Sequence, residues 1–219
     1  MATTIEQTTE VGGPPAPTSP GAHGGHPPTS TGVGSTKLAI WLFLASDCLF
    51  FGAFISAYLL YRGRSTVPPG PKYVFDIPFT SATSFILLMS SLTMVLALAA
   101  IQRGDERRLK IWLLATVLLG ATFIGGQVFE FTEFDREGLG LGTNLFGSSF
   151  YVLTGFHGAH VTAGIIWLLS LWGMASQGRL KQADAEKVEI AGLYWHFVDV
   201  VWIVIFTVIY LVPQPGLAK

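Results

Sequence analysis

Charged residues and cysteine are scarce in this 219-residue chain. Only 12% of the residues are Asp, Glu, Lys or Arg and half are hydrophobic, whereas a soluble domain carries about 25% charged residues. The single cysteine, Cys48, excludes a disulfide within the chain and any metal site built on paired cysteines. The net charge of −1 and the lack of basic runs argue against a nucleic-acid partner. This composition predicts a protein whose surface faces lipid rather than water.

Residues 1–36 differ in composition from the rest of the chain. They are rich in Pro, Gly, Ser and Thr and contain almost no large apolar side chains. Such a segment cannot bury enough surface to offset its chain entropy, so we expect a disordered or extended tail. It has no apolar core of the kind that a signal peptide requires. His23 and His26 are interpreted as solvated histidines rather than metal ligands.

Residues 37–219 contain five apolar runs separated by short polar segments. Each run approaches the roughly 20 residues that a helix needs to cross the hydrocarbon layer. Backbone amides in lipid must be satisfied within the segment, so each run is expected to be a helix. The sequence therefore predicts an all-α integral membrane bundle, and the lack of an internal repeat does not favour an inverted-repeat transporter. The five predicted helices cover residues 38–61, 79–101, 111–131, 149–173 and 193–212.

Loop charge predicts the orientation of this bundle. Cytoplasmic loops of membrane proteins carry an excess of Lys and Arg. The side that holds the tail has eight such residues and the other side has five, so we expect a cytoplasmic N-terminus and an outside C-terminus. The first set is Lys37, Arg103, Arg107, Arg108, Lys110, Arg179, Lys181 and Lys187; the second is Arg62, Arg64, Lys72, Arg136 and Lys219.

Ionisable residues inside the predicted helices are the candidate functional residues, because each is costly in lipid and needs a partner or a purpose. Asp47 lies near the middle of the first helix, where burial disfavours the charged form. Two pairs are spaced by three residues, which places each pair on one helix face. The full set is Asp47, Glu130, His157, His160, His196 and Asp199.

These residues could be metal ligands or could make hydrogen bonds and lipid contacts. The histidines and Asp199 could supply four metal ligands, but haem and copper proteins of membranes usually need more histidines than this. We favour hydrogen bonds between helices, or contacts with lipid headgroups and loop carbonyls. Gly155, Ala159 and Ala163 form a ridge of small residues that predicts close helix packing. No phosphate loop, nucleophile elbow or zinc-protease motif is present in the sequence.

Two long segments carry a family resemblance. FGSSFYVLTGFHGAHVTAG (146–164) resembles the signature of the cytochrome c oxidase subunit III family, and GLYWHFVDVVWIVIFTVIYLV (192–212) is similar to the last helix of that family. WLFLASDCLFFGAF (41–54), PFTSATSFILLMSSLTM (78–94) and GQVFEF (126–131) resemble three further helices in the same order. The resemblance covers residues 37–212. It differs from the longer members in lacking their first two helices, and Asp47 stands where the family has a membrane-buried glutamate.

The resemblance implies a non-redox accessory subunit of a proton-pumping haem–copper oxidase in a bacterial cell membrane. Haem and copper would lie in partner subunits, with subunit I in direct contact and subunit II in the same complex. The chain itself would hold no cofactor except phospholipid in a cleft. The six ionisable residues would form the polar core of that cleft, supporting proton uptake and protecting the catalytic site during turnover, with no catalytic residue among them.

Other functions remain open at the level of sequence. Subunit III of a quinol oxidase or of a nitric-oxide-reductase complex would share these motifs. An independent proton-coupled transporter, with Asp47 and Asp199 as its relay, belongs to a different class, but the chain lacks the repeats and broken helices that such transporters show.

Overall fold

The computed structural model of the protein describes residues 34–61 and 77–212. The predicted tail, residues 1–36, lies outside the described residues except for its last three. A short 3-10 turn, Gln182–Asp184, precedes the last helix, and a π-helical turn, Thr207–Leu211, continues it. The helices are α1 (Ser35–Tyr61), α2 (Ile77–Gln102), α3 (Glu106–Arg136), α4 (Leu145–Ser176) and α5 (Ala185–Phe206).

Five described helices are long and apolar enough to cross a membrane, the last of them counted with its flanking turns. The prediction of an all-α bundle with five transmembrane helices is therefore confirmed. The helices are longer than predicted at most ends, because hydropathy marks only the part of a helix that lies in hydrocarbon. Helix α3 begins after Asp105, whose side chain accepts from the Arg108 amide, and α4 begins after Asn144, which accepts from the Gly147 amide. These caps satisfy amides that have no partner within the helix.

Helices α2 to α5 form a closed four-helix ring. Helix α2 packs against α3 and α5, and α4 packs against the same two helices. Short turns connect α2 to α3 and α4 to α5, and Gly104 and Gly178 adopt positive φ angles of 73° and 68° in these turns. Such angles suit glycine, which has no Cβ to clash. The chain therefore reverses within a few residues at one end of the ring.

Trp195 of α5 fills the centre of this ring. Its side chain is 1% exposed, and its indole Nε1 donates to Ser90 Oγ of α2 at 2.9 Å. A Cβ added at Gly120 of α3 would lie 2.7 Å from the ring, and one at Gly164 of α4 would lie 2.8 Å from it. Small residues on two helices therefore make room for one large side chain from a third.

Helix α1 lies beside the ring and contacts it mainly through long side chains. Its buried residues are Leu44, Asp47, Phe51 and Tyr58, a single narrow stripe along the helix. Lys37 Nζ contacts both carboxylate oxygens of Glu189 at 3.0 Å, which ties the start of α1 to α5. The other helices have more of their membrane-crossing length buried. Helix α1 is therefore the least enclosed of the five described spans.

Substitution of Gly164 by Ala should destabilise the ring. The added methyl group would meet two carbons of Trp195 at 2.8 and 2.9 Å, so the indole must move and strain its hydrogen bond to Ser90. We expect a loss of about 1–3 kcal/mol in unfolding free energy, measured by denaturant titration of the protein in detergent.

Gly173→Ala on the same helix is the matched control, because nothing lies within 4 Å of the added Cβ. Equal stability of the two variants would contradict the central role of Trp195.

Candidate functional site

Five of the six predicted polar residues lie in three separate clusters rather than in one core, and His157 belongs to none of them. We name them after their carboxylates: the Asp47 cluster (Asp47 with His160), the Asp199 cluster (Ser91, His196 and Asp199) and the Glu130 cluster (Thr80, Glu130 and Tyr210). Each cluster joins a different set of helices. The single polar core that the sequence predicted is therefore wrong, because each side chain contacts the neighbouring helix that its own face meets.

The Asp47 cluster joins α1 to α4. Asp47 lies on the buried stripe of α1, and its Oδ2 is 3.4 Å from His160 Nε2. The other ring nitrogen of His160, Nδ1, is 2.7 Å from the carbonyl oxygen of Phe156 on the same helix. A carbonyl can only accept, so Nδ1 carries a proton. Nε2 is therefore the ring nitrogen that faces Asp47, whose Oδ2 makes no hydrogen bond with the described residues.

His157 lies beside this cluster but is bound by aromatic rings. It is fully buried and stacks on Trp202 with ring centres 4.9 Å apart, while Phe123 and Phe51 present their rings at 6.0 and 6.4 Å. Neither ring nitrogen has a hydrogen-bond partner among the described residues. The predicted hydrogen bond between helices is therefore not made by His157, because its face of α4 meets rings instead of polar groups.

The Asp199 cluster joins α5 to α2. Asp199 is 3% exposed, and its Oδ2 accepts a hydrogen bond from Ser91 Oγ. His196 Nδ1 is 3.0 Å from the same hydroxyl oxygen. The sequence correctly predicted that His196 and Asp199 share a face. It missed Ser91, since a serine within an apolar helix carries no signal beyond its own polarity.

The Glu130 cluster joins α2, α3 and the π-helical turn. Glu130 is 7% exposed and accepts from Thr80 Oγ1 at 2.6 Å and from Tyr210 Oη at 3.0 Å. The predicted helix ended at residue 131, one residue past Glu130, whereas α3 continues to Arg136 and the carboxyl group is buried within the bundle. Hydrogen bonds from two hydroxyls stabilise it there.

The predicted ridge of small residues faces away from the ring. Nothing lies within 4 Å of a Cβ added at Gly155, and Ala159 and Ala163 are exposed. Within the described chain, the close approaches on α4 occur instead at Gly158, against Gln127, and at Gly164. Contact of the ridge with a helix of another subunit stays a prediction.

In residues 34–61 and 77–212, no three His, Cys, Asp or Glu side chains converge in a way that could hold a metal ion. The three clusters instead consist of carboxylate, imidazole and hydroxyl groups at helix contacts. Such contacts fix the positions of the helices relative to one another. The fold and its clusters define a multi-pass membrane protein with ionisable groups at its helix contacts.

Comparison with known proteins gives the family. Residues 19–213 match the family described as Cytochrome c oxidase subunit III. A cytochrome c oxidase subunit 3 of Bacillus sp. (strain PS3) is 38% identical over 179 residues, which cover 82% of this chain and 86% of that protein. A quinol oxidase subunit 3 of Bacillus spizizenii is 37% identical over 180 residues, covering 82% and 88%. A cytochrome c oxidase subunit 3 of Synechocystis sp. is 40% identical over 191 residues, covering 86% and 78%.

The chain belongs to the cytochrome c oxidase subunit III family. The resemblance found in the sequence is thus confirmed, as is the prediction of a haem–copper oxidase subunit III. Membership of this family and the five spans make it a multi-pass plasma-membrane protein and part of an oxidoreductase complex.

Asp47 and His160 should be energetically coupled. Replacing His160 with an apolar residue leaves the buried Asp47 without this contact, and replacing Asp47 removes the same contact from the partly exposed His160, so the second replacement should cost less than it does alone. A double-mutant cycle with Asp47→Leu and His160→Phe should give a coupling energy of about 0.5–3 kcal/mol in unfolding free energy.

The matched control pairs Asp47→Leu with Ser170→Ala. Ser170 is exposed on α4 and donates to the carbonyl of Trp167 on its own helix. These two changes should be additive, and additivity of the Asp47 and His160 changes would contradict the contact between α1 and α4.

Proposed function

We propose that this chain is a non-redox accessory subunit of a bacterial, proton-pumping terminal oxidase, supporting proton uptake and protecting the catalytic site during turnover. The observation that carries the proposal is the contact between Asp47, which is buried on the least enclosed helix, α1, and the partly exposed imidazole of His160 on α4. A pair of this kind holds and releases a proton without changing oxidation state. Haem and copper are assigned to partner subunits, with subunit I in direct contact and subunit II in the same complex.

Phospholipid is the proposed ligand of the chain. A recess of about 240 Å³ lies between α1 and α4, with almost entirely apolar walls that include Phe54, Leu145 and Val152. Apolar walls of this kind suit an acyl chain. The recess supports the proposal that an acyl chain of a phospholipid lies beside α1.

The electron donor is proposed to be cytochrome c, with quinol as the second candidate. One relative named for cytochrome c oxidase is 38% identical and one named for quinol oxidase is 37% identical. This near equality keeps quinol as a candidate. Donor binding is assigned to partner subunits in either case.

Asp47→Asn tests the proton-linked role. The asparagine amide can still donate to His160 Nε2, so the complex should assemble with its haem and copper. The exchangeable proton of the acid is lost, so initial oxygen reduction should survive while the number of turnovers before inactivation falls several-fold. Oxygen consumption, followed until the enzyme is inactive, measures both the initial rate and the number of turnovers before inactivation. Ser170→Ala is the control.

A hydrophobic carbodiimide provides an independent measurement. It modifies protonated carboxyls in apolar surroundings and should label Asp47 in preference to Glu106, which is exposed and lies 2.7 Å from Lys181 Nζ. Loss of haem or copper in Asp47→Asn would make Asp47 a structural residue. Unchanged lifetime and labelling would leave it a passive packing residue.

The orientation is proposed to have a cytoplasmic N-terminus and an outside C-terminus. Lys and Arg count in this rule regardless of their acidic partners, so the ion pairs of Lys37, Lys181 and Lys187 do not weaken it. A reporter that is active only after export should work when fused at Lys219 and fail when fused within the 103–105 turn. The reverse pattern would overturn either the orientation or the number of crossings.

A further inference from the structure

Ser91 bridges two groups that can each carry a proton. Its hydroxyl oxygen contacts Asp199 Oδ2 and lies 3.0 Å from His196 Nδ1. A hydroxyl has one proton to donate and lone pairs with which to accept. Ser91 can therefore donate to only one of its two partners, and the other partner must donate to Ser91.

With a neutral imidazole at His196, this requirement leaves two self-consistent arrangements. In the first, Asp199 is a carboxylate that accepts from Ser91, and His196 donates its Nδ1 proton to Ser91. In the second, Asp199 is an acid that donates to Ser91, Ser91 donates to Nδ1, and His196 carries its proton on Nε2. The heavy atoms occupy the same positions in both arrangements, so only protons need to move.

We propose that Asp199, Ser91 and His196 form a proton relay that loads and unloads the buried carboxyl of Asp199 through Nε2 of His196. When a proton arrives, an N–H bond forms at Nε2 and the Nδ1–H bond breaks as that proton passes to Ser91 Oγ. The original O–H bond of Ser91 breaks as its proton passes to Asp199 Oδ2. The relay gains one proton, the carboxylate becomes an acid, His196 is neutral before and after, and no group is oxidised or reduced.

The surroundings of Asp199 favour proton transfer through His196 over direct transfer of a proton to the Asp199 carboxyl. Asp199 is 3% exposed and its Oδ1 has no hydrogen-bond partner among the described residues, whereas His196 is partly exposed at the surface of the ring. Helix α2 contributes no ionisable side chain to the cluster. On α4, the ionisable side chain that reaches α5 beside the cluster is His157, whose ring stacks on Trp202. Nε2 of His196 is therefore the end of the relay that can meet a proton donor.

The depth of the cluster indicates what that donor is. Ser91 and His196 both lie near the middle of their membrane-crossing helices, where lipid can neither supply nor remove a proton. The relay must therefore meet a protonatable side chain or a water chain of an adjoining subunit. The assignment of the proton donor to an adjoining subunit rests on the proposed function, whereas the relay within this chain does not.

Infrared titration of the purified oxidase complex, with isotope-labelled histidine, tests the relay. The acid band of Asp199, assigned by its loss in Asp199→Asn, should rise as pH falls. The ring bands of His196, assigned by their loss in His196→Asn, should change from the Nδ1–H to the Nε2–H tautomer with the same midpoint. Ser91→Ala should abolish the tautomer change, Ser91→Thr should retain it, and Ser170→Ala should behave as the unaltered protein.

Three results would overturn the relay. The first is protonation of Asp199 in the unaltered protein with no change of the His196 tautomer. The second is formation of an imidazolium at His196 instead of the tautomer change. The third is an unchanged shared midpoint in Ser91→Ala. Haem and copper content verifies that each variant is assembled. Turnover lifetime, which tests the proposed function, is measured separately, so failure of either proposal is recognised without the other.

Discussion

Partnering of polar groups within the protein is the constraint on which the interior of this bundle depends. Lipid offers no hydrogen bonds, so a buried polar side chain is stabilised when it finds a partner on another helix or on its own backbone. Trp195 illustrates the result, since its indole fills the centre of the ring while its single N–H reaches Ser90. Trp202 repeats the arrangement one heptad later, donating to Ser84 at 2.8 Å. Both bonds fix α5 in rotation and register against α2.

Helix α2 supplies hydroxyl partners to the neighbouring helices, although it has no ionisable residue of its own. Its side chains meet the carboxylates of Glu130 and Asp199 as well as both tryptophans. A hydroxyl suits this role because it both donates and accepts, and its proton rotates to suit its partner. The hydroxyls are Thr80, Ser84, Ser90 and Ser91. Helix α2, which has no ionisable residue, therefore provides the hydroxyl groups that hold α3 and α5 in position.

The sequence could predict the helices and the family, but not the pairing of side chains. Hydropathy locates each span because transfer into lipid is decided residue by residue. The spacing of His196 and Asp199 places both on one face of their helix, but it does not indicate which neighbouring helix that face contacts. Ser91, the residue that joins them, was missed for this reason. His157 was wrongly expected to make a hydrogen bond between helices, since its aromatic surroundings come from three other helices.

The same limit explains the ridge of Gly155, Ala159 and Ala163. A pattern of small residues shows that a helix can be approached closely, and it does not show from which side. Gly164 receives Trp195 because a large residue stands opposite, whereas Gly155 faces open space. Close packing therefore depends on two helices at once, and a single sequence pattern describes only one of them.

Asp47, which contacts His160, and Asp199, which shares Ser91 with His196, differ in what surrounds them. Asp199 is enclosed by the ring, so its partners are fixed by the packing of α2 against α5. Asp47 lies on α1, whose outer surface is exposed along most of its length. Lipid or another subunit must cover that surface in the membrane, and whatever covers it also sets the polarity around Asp47. A neighbouring subunit can therefore act on Asp47 directly, whereas it reaches Asp199 only through the proposed relay of Ser91 and His196.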